Sequence, residues 1–479
     1  MSLNSIKHFL LFLVCVILTS CATTKVEEFY GHLAPLIEER DISGAVSYVS
    51  NFYNGADKYN KLLYSLELGY LYHINKNYKE SNIVFENAKS LYSLQDYTSK
   101  VFNNGSLLPK YYQGEDFEMA YTNVFCALNY IKLRKKNESA VEARQINNLF
   151  NKIKLTDENA IYKDDPFIRY FMGLIYENAG YYNDAMVSYK IALRAYADYN
   201  IVKVSVPQDL LNRLYTLYKY YSLNEEAEEL KTNYPKTERI KFGECGTLII
   251  LNYNGIAPKK AEQVIQIPFD NAWKKYYNTN NDYRNKIIGE FGIRYISAAF
   301  PKYERYDNKI KYFTTEITNS EQPGEKYFAE SYLATDIGTI MEKTLELNYK
   351  MTFYSRINGY VVGMKEIEEI RRSYEEKRKD IYNQNMLKET KRKLLEDLRK
   401  ETVTRISDIK ASLENLNSVD LKSWRSLPET INMANLSLAP GKYTGIIKYF
   451  DSYKNIVATK EIKFKIRRGR NRFITTISN

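Results

Sequence analysis

Histidine, cysteine and tryptophan are scarce here: 3, 4 and 2 of 479 residues. A zinc site needs three or four clustered ligands. Beyond residue 20 only His32, His73, Cys21, Cys126 and Cys245 remain, and no zinc spacing joins them. No metal and no cofactor is expected. A disulfide framework, common in exported domains, is missing too. A cysteine nucleophile needs a base, usually histidine. Cys245 in "FGECGTL" lies far in sequence from His32 and His73, and Cys126 falls inside a helical pattern. Gly-x-Ser-x-Gly, His-Glu-x-x-His and the Walker phosphate loop are absent. No catalytic residue is predicted. Paired carboxylates stay open as a route to glycan chemistry, since 58 acidic residues always offer pairs. Glu115 and Asp116, in a Gly-Glu-Asp turn, are the pair to test.

What is present starts with an apolar run. Lys7 precedes the stretch FLLFLVCVIL at 9–18, and Leu18-Thr19-Ser20-Cys21 follows. Ten apolar residues are too few for a bilayer span, which takes about 20. A basic start, a short apolar core and small residues before a cut describe a secretory signal. Leu18-Thr19-Ser20-Cys21 also resembles the bacterial lipobox. That resemblance implies cleavage before Cys21, a diacylglycerol on its sulfur and an acylated new amine. A multi-chain anchor holds stably where one chain is marginal. The alternative is an ordinary signal peptide with an incidental cysteine. After cleavage the chain carries 68 basic and 58 acidic side chains, net +10. Such a surface suits anionic partners, or serves solubility alone. Nucleic acid is not expected outside the cytoplasm.

Two segments share a register. "SLELGYLYHINKNYKESNIVFENAKSLY" has Gly69, Tyr72, Ser81, Phe85 and Ala88; "YFMGLIYENAGYYNDAMVSYKIALRAY" has Gly173, Tyr176, Ala185, Tyr189 and Ala192. From each glycine the offsets are +3, +12, +16 and +19. This is the tetratricopeptide (TPR) pattern, a helix-turn-helix of about 34 residues. Gly and Ala sit where two helices come close; aromatic rings fill the wedge between pairs. Weaker copies lie at 29–53 (Leu33, Leu36, Ala45, Val49), 117–150 (Leu128, Ile131, Ala140) and 207–233 (Tyr215, Tyr218, Ala227). About five pairs are predicted. Such a stack offers a concave face that holds a peptide or protein. Residues 93–116 interrupt it with a long loop, a binding element or a plain connection. Tyr111, Tyr112, Glu115 and Asp116 are its candidates.

After Pro235 the period changes. "GTLIILNYNGIAP", "QVIQIPF" and "KIKYFTTEIT" read as strands. Helix returns near 335. Residues 363–416 carry a narrow stripe (Ile367, Ile370, Tyr374, Ile381) among Glu, Lys and Arg, one long helix or a hairpin of two. It is a solvated spacer or a self-association surface. At the end, "ATKEIKFKI" alternates, with Ile462, Phe464 and Ile466 on one face. Lys465, Arg467, Arg468, Arg470 and Arg472 form a basic tract that either meets anionic lipid or glycan or discourages edge pairing. Trp424-Arg425 is either a site for sugar or peptide or a core anchor.

Several phrases in order resemble a family of bacterial tetratricopeptide lipoproteins of unassigned activity: "GEDFEMAYTNVFCALNYI", "ARQINNL", "DDPFIRYFMGLIYENAGYYNDAMVSYKIAL", "GTLIILNYNGIAPKKAE" and "DLKSWRSLPETINMANLSLAPGKY". They span roughly 114–441, after the lipobox. The resemblance implies an envelope-assembly setting. The long charged helix departs from the family, whose members have a shorter, alanine-rich one.

The expected fold is α+β and multi-domain. A signal peptide at 1–20 and a lipid-anchored tether at 21–28 precede a TPR-like α-solenoid at 29–235. A β-rich region (236–334), a helical segment (335–416) and a β-sandwich-like end (417–479) follow. The expected function is a membrane-anchored cell-envelope scaffold or adaptor that binds a protein partner. Ala22 and Thr23 leave no Asp beside Cys21, which by resemblance to proteobacterial sorting favours the outer membrane. The alternatives are a glycan- or peptidoglycan-acting enzyme and a self-associating structural lipoprotein.

Overall fold

The computed structural model describes residues 21–56, 60–102, 112–156, 162–241, 243–277, 281–322, 324–346, 348–414 and 421–478. The signal segment at 1–20 and Tyr111 lie outside these.

Ten helices come first, in five pairs: α1 (Cys21–Glu38) with α2 (Ile42–Gly55), α3 (Lys61–Ile74) with α4 (Tyr78–Phe102), α5 (Asp116–Lys132) with α6 (Lys136–Thr156), α7 (Pro166–Ala179) with α8 (Tyr182–Asp198), and α9 (Gln208–Tyr220) with α10 (Asn224–Asn233). Turns of two or three residues join each pair, short enough to force antiparallel packing. Residues 21–28, expected as a tether, form the first turns of α1.

The glycine-aromatic register has a direct physical cause. A Cβ on Gly69 would stand 2.5 Å from the Phe85 ring, and one on Gly173 would stand 2.2 Å from the Tyr189 ring. No real Cβ sits that close, so only glycine lets the ring of the second helix lie on the first. Ser81 Oγ donates to the Gly69 carbonyl at 2.7 Å, and Tyr189 donates to Glu177 at 2.9 Å. Ala88, Ala185 and Ala192 are fully buried, Tyr176 nearly so, and Tyr72 packs against the core.

The strands form three sheets. In the first, β1 (Gly246–Asn254) runs parallel to β10 (Asn471–Ser478) and antiparallel to β7 (Thr430–Leu438), which pairs with β6 (Tyr332–Asp336). In the second, antiparallel throughout, the order is β5 (Lys326–Glu330), β4 (Tyr312–Asn319), β8 (Gly441–Phe450), β9 (Ile456–Ile466). The two strand regions of the sequence therefore share both sheets. The third sheet is a ribbon of β2 (Lys259–Pro268) and β3 (Tyr295–Glu304).

β1 sits in the middle of three layers. All nine of its residues are buried, because successive side chains serve opposite faces. Leu248 and Ile250 join Phe313, Ile317, Tyr443 and Ile447 between the two sheets. Ile249, Leu251 and Tyr253 join the core of the helix pairs.

The ribbon packs with α11 (Phe269–Tyr276), α12 (Asn281–Phe291) and the base of α14 (Asn348–Asn383) around Trp273, Phe300, Phe353 and Ile357. α13 (Ile337–Glu346) precedes that helix. The charged stretch resolves as two helices: α14, 36 residues and about 54 Å long at 1.5 Å per residue, turns back into α15 (Lys388–Glu414). α14 begins well before the stretch at 363–416 expected from the sequence. Its base is held by Val361, Met364, Ile367 and Ile370. Glu290 of α12 reaches Arg371 at 2.7 Å and Lys410 at 3.0 Å, one on each arm. From 371 to 412 no residue is buried.

Candidate functional site

The repeat stack is expected to offer a concave face to a partner, and the first helices of its pairs make one long face of the stack. That face carries the chain's own first sheet and residues 423–427. α5 shows it most plainly, since residues 117–129 are buried without a break.

Three buried side chains, Tyr30 on α1, Glu67 on α3 and Glu118 on α5, hold the incoming segment. Glu67 accepts the Tyr30 hydroxyl at 2.7 Å, the Arg425 N–H at 2.8 Å and the Ser426 N–H at 3.2 Å. Glu118 accepts the Tyr112 hydroxyl at 2.6 Å, the Glu115 N–H at 2.9 Å and the Trp424 N–H at 3.3 Å. Two carboxylates on adjacent pairs thus grip main-chain donors, which is how a repeat groove would hold a peptide. Here the peptide is residues 424–426. Burial, then the nearby Glu115 carboxylate, push Glu118 up to about 7, against hydrogen bonds that favour its charge. Burial also raises Glu67, opposed by its bonds from Ser426, Tyr30 and Arg425.

The Trp424 indole is fully buried, with Phe85, Tyr70 and Phe125 rings at 6.0, 6.2 and 6.2 Å. Its Nε1 donates to Ser426 Oγ at 3.1 Å. No part of it faces a ligand surface. The Arg425 guanidinium lies 4.1 Å over the Tyr30 ring and stays half-buried. Glu115 and Asp116 are both employed locally. Glu115 forms a reciprocal capping box with Glu118 at the start of α5, and Asp116 accepts the Tyr92 hydroxyl at 2.5 Å. Tyr112 is buried against Glu118.

The sheet docks through two further polar sets. Tyr253 of β1 meets His73 Nε2 at 3.0 Å, and His73 Nδ1 meets Asn129 Oδ1 at 2.6 Å. Asn129 donates to Ser81 Oγ and Asn82 Oδ1. Burial holds His73 down to about 4, so it is neutral near pH 7 and its ring donates from Nδ1. On α7 and α9, Arg213 pairs with Glu177 and Asp209 while fully buried. Asn435 of β7 donates to Asp209 at 2.8 Å and Asn471 of β10 to Glu177 at 3.1 Å. Lys132 donates to the Phe473 carbonyl at 3.0 Å; burial brings its pKa down to about 8.

Among the described residues one group has metal-ligand types at close range: Glu86, Cys126 and Glu142, within 4.8 Å of one another. The Lys89 ammonium already sits there, 2.6 Å from Glu86 and 3.0 Å from Glu142. Burial works against its charge, but Cys126, Glu142 and Glu86 more than offset this and raise its pKa. The cluster holds a cation of its own and does not fit a metal. Beside Cys245 a cavity of about 20 Å³ offers room for roughly one water. The basic tract is partly committed: Arg468 donates to the Gly243 carbonyl and Arg470 to Asn178, while Lys465, Arg467 and Arg472 are exposed.

A larger opening lies between α14 and α15. It measures about 470 Å³ and is lined by Glu366, Glu369, Ile370, Ser373, Arg405, Asp408 and Ile409. Three carboxylates face one guanidinium over an isoleucine floor.

No protein-family profile and no curated protein matches the chain. Solved structures with similar portions include MamA (14% identity, TM-score 0.27, 41% of this chain and 89% of that one). RapI in its apo form is another (13%, 0.31, 44% and 68%). A third is YrrB, described as a TPR protein with an unusual peptide-binding site (14%, 0.28, 46% and 94%). At these scores the likenesses say nothing of activity or partner.

Proposed function

We propose that this chain is a lipid-anchored scaffold of the cell envelope that meets a protein partner through the α14–α15 arm. One observation carries the reading. The first-helix face of the repeats is filled by β1, β7, β10 and residues 424–426 in one continuous core, so the repeats act as a mount for the β part. The arm departs from that mount and bears a cleft of about 470 Å³ between its two helices. The cleft, acidic at its rim and apolar at its floor, suits a partner segment with basic and aliphatic residues. Anchoring rests on the lipobox at Cys21, and the absence of Asp after it supports the outer membrane.

The test is crosslinking of the full-length protein in its own cells, with identification of what co-purifies. Cys21→Ala controls for anchoring. The exposed pair Glu369→Arg/Asp408→Arg inverts the rim of the cleft. An envelope protein captured by the wild type and lost from the double variant is the expected result. The same capture from both, or glycan strands without protein, refutes the reading.

A further inference from the structure

We propose that the tip of the α14–α15 hairpin docks on the surface of an anionic lipid bilayer. The inference does not depend on the cleft at the base of the hairpin or on lipidation of Cys21.

Charge is concentrated there. Residues 377–393 hold seven basic and two acidic side chains, five of the chain's net +11 in 17 residues. The fold gathers them. Lys377, Arg378 and Lys379 lie in the last two turns of α14, Arg378 paired with Glu375 at 3.1 Å; Lys388, Arg392 and Lys393 begin α15, and all six are exposed. Lys391 closes the turn, its ammonium 2.9 Å from the Tyr382 carbonyl at the end of α14. A positive side chain there suits the negative end of the helix.

The same turn exposes apolar surface. Leu387 is 80% exposed and Tyr382 56%. An aliphatic side chain at the summit of a charged helical arm is left almost uncovered by the described residues. The pairing of features decides the occupant. A nucleic-acid backbone would take the charges but leaves Leu387 in water. An anionic bilayer takes both: headgroups meet the cations, the acyl boundary receives Leu387, and tyrosine favours the interface between them. Each Lys or Arg near such a surface is worth about fivefold in partitioning, the equivalent of ~1 kcal/mol. Six of them, with one leucine and one tyrosine, suffice for reversible peripheral docking. No described helix is long and apolar enough to cross a membrane, so the contact is on the surface.

Tryptophan fluorescence reads the docking directly, because Trp273 and Trp424 are buried at 1% and 0% exposure and leave a new indole to dominate any lipid response. The full-length chain carrying Leu387→Trp is reconstituted into vesicles of equal parts phosphatidylcholine and acyl-brominated phosphatidylglycerol. Expected are a blue-shifted emission and bromine quenching. Both should be absent from vesicles made only of brominated phosphatidylcholine. Adding Lys388→Glu, Arg392→Glu and Lys393→Glu should weaken the response more than a hundredfold, at about fivefold per cation removed and more for its reversal. Tyr453→Trp, at a turn in the β part that is 83% exposed, is the positional control and should stay unquenched. Circular dichroism matching the wild type confirms folding of each variant. A water-exposed, unquenched indole at position 387 in anionic vesicles overturns the proposal. So does equal quenching in zwitterionic vesicles, equal quenching at position 453, or a response to a DNA duplex in place of lipid.

Discussion

Glu118 gives the structure a testable acid dependence. Its carboxyl is buried, has no ion pair among the described residues, and lies near Glu115, with Lys260 only partly offsetting burial. The folded state holds its proton up to about 7, where the free side chain loses it near 4.5. The sign follows. Between those values folding takes up a proton, so the contribution is whole below about 4.5 and is lost as pH rises through 7. At 1.36 kcal/mol per pH unit, the wild type loses about 3 kcal/mol from this group between pH 4.5 and 8. Glu118→Gln keeps the shape and removes the titration. It also sets an amide N–H against a main-chain N–H of Glu115 or Trp424, a cost of about 1–3 kcal/mol that does not vary with pH. The assay is urea unfolding of both proteins from pH 5 to 8. The gap between them should narrow by about 2.5 kcal/mol over that range, and the variant becomes the more stable protein if the fixed cost is at the low end. Parallel stability curves would refute the reasoning, and would mean that its three donors hold Glu118 ionised despite burial.

Two further outcomes test the packing. Gly69→Ala and Gly173→Ala each push a methyl into the ring of Phe85 or Tyr189 and should cost about 1–3 kcal/mol by overpacking, read as lowered melting temperatures. An unchanged melting temperature would mean that the glycines do not set the helix spacing. Self-association through the arm predicts that the wild type sediments above its monomer mass and that Leu394→Glu/Val403→Glu, at exposed apolar positions of α15, restores the monomer; identical masses would remove that reading.

The repeat register was legible because close helix approach admits few residues: glycine under a ring, alanine beside it. The strand at 246–254 was legible too, as an apolar run of the right length. What covers the repeats was not read, although a sign existed. "FEMAYTNVFCALN" on α5 is apolar on more than one face, and a helix of that kind is buried all round. An isolated stack would leave that second face wet. The carboxylates Glu67 and Glu118 carried a weaker sign, each an acid inside an apolar helix. The donors that dock the incoming segment on them, the Trp424, Arg425 and Ser426 N–H groups, lie more than 300 residues away, and no local pattern encodes that pairing. In the β region the short strands β5 and β6 and the helices α11 and α12 were missed, since their stability comes from neighbours distant in sequence. The turn at 384–387 that splits the charged helix has no glycine or proline to announce it.

The parallel pairing of β1 with β10 has a consequence for how the chain is made. Thr247 aligns with Asn471, so the central strand stays open along one side until residues 471–478 are synthesised. Until then the part of the repeats that β10 covers, around Phe171, and the polar groups of Glu177 and Lys132 that await Asn471 and the Phe473 carbonyl, face solvent or a chaperone. Deleting residues 471–478 would take away one strand of sheet, yet it would leave the repeats with an uncovered apolar flank around Phe171. Such a chain should be cleared by proteolysis rather than accumulate as a slightly shorter protein.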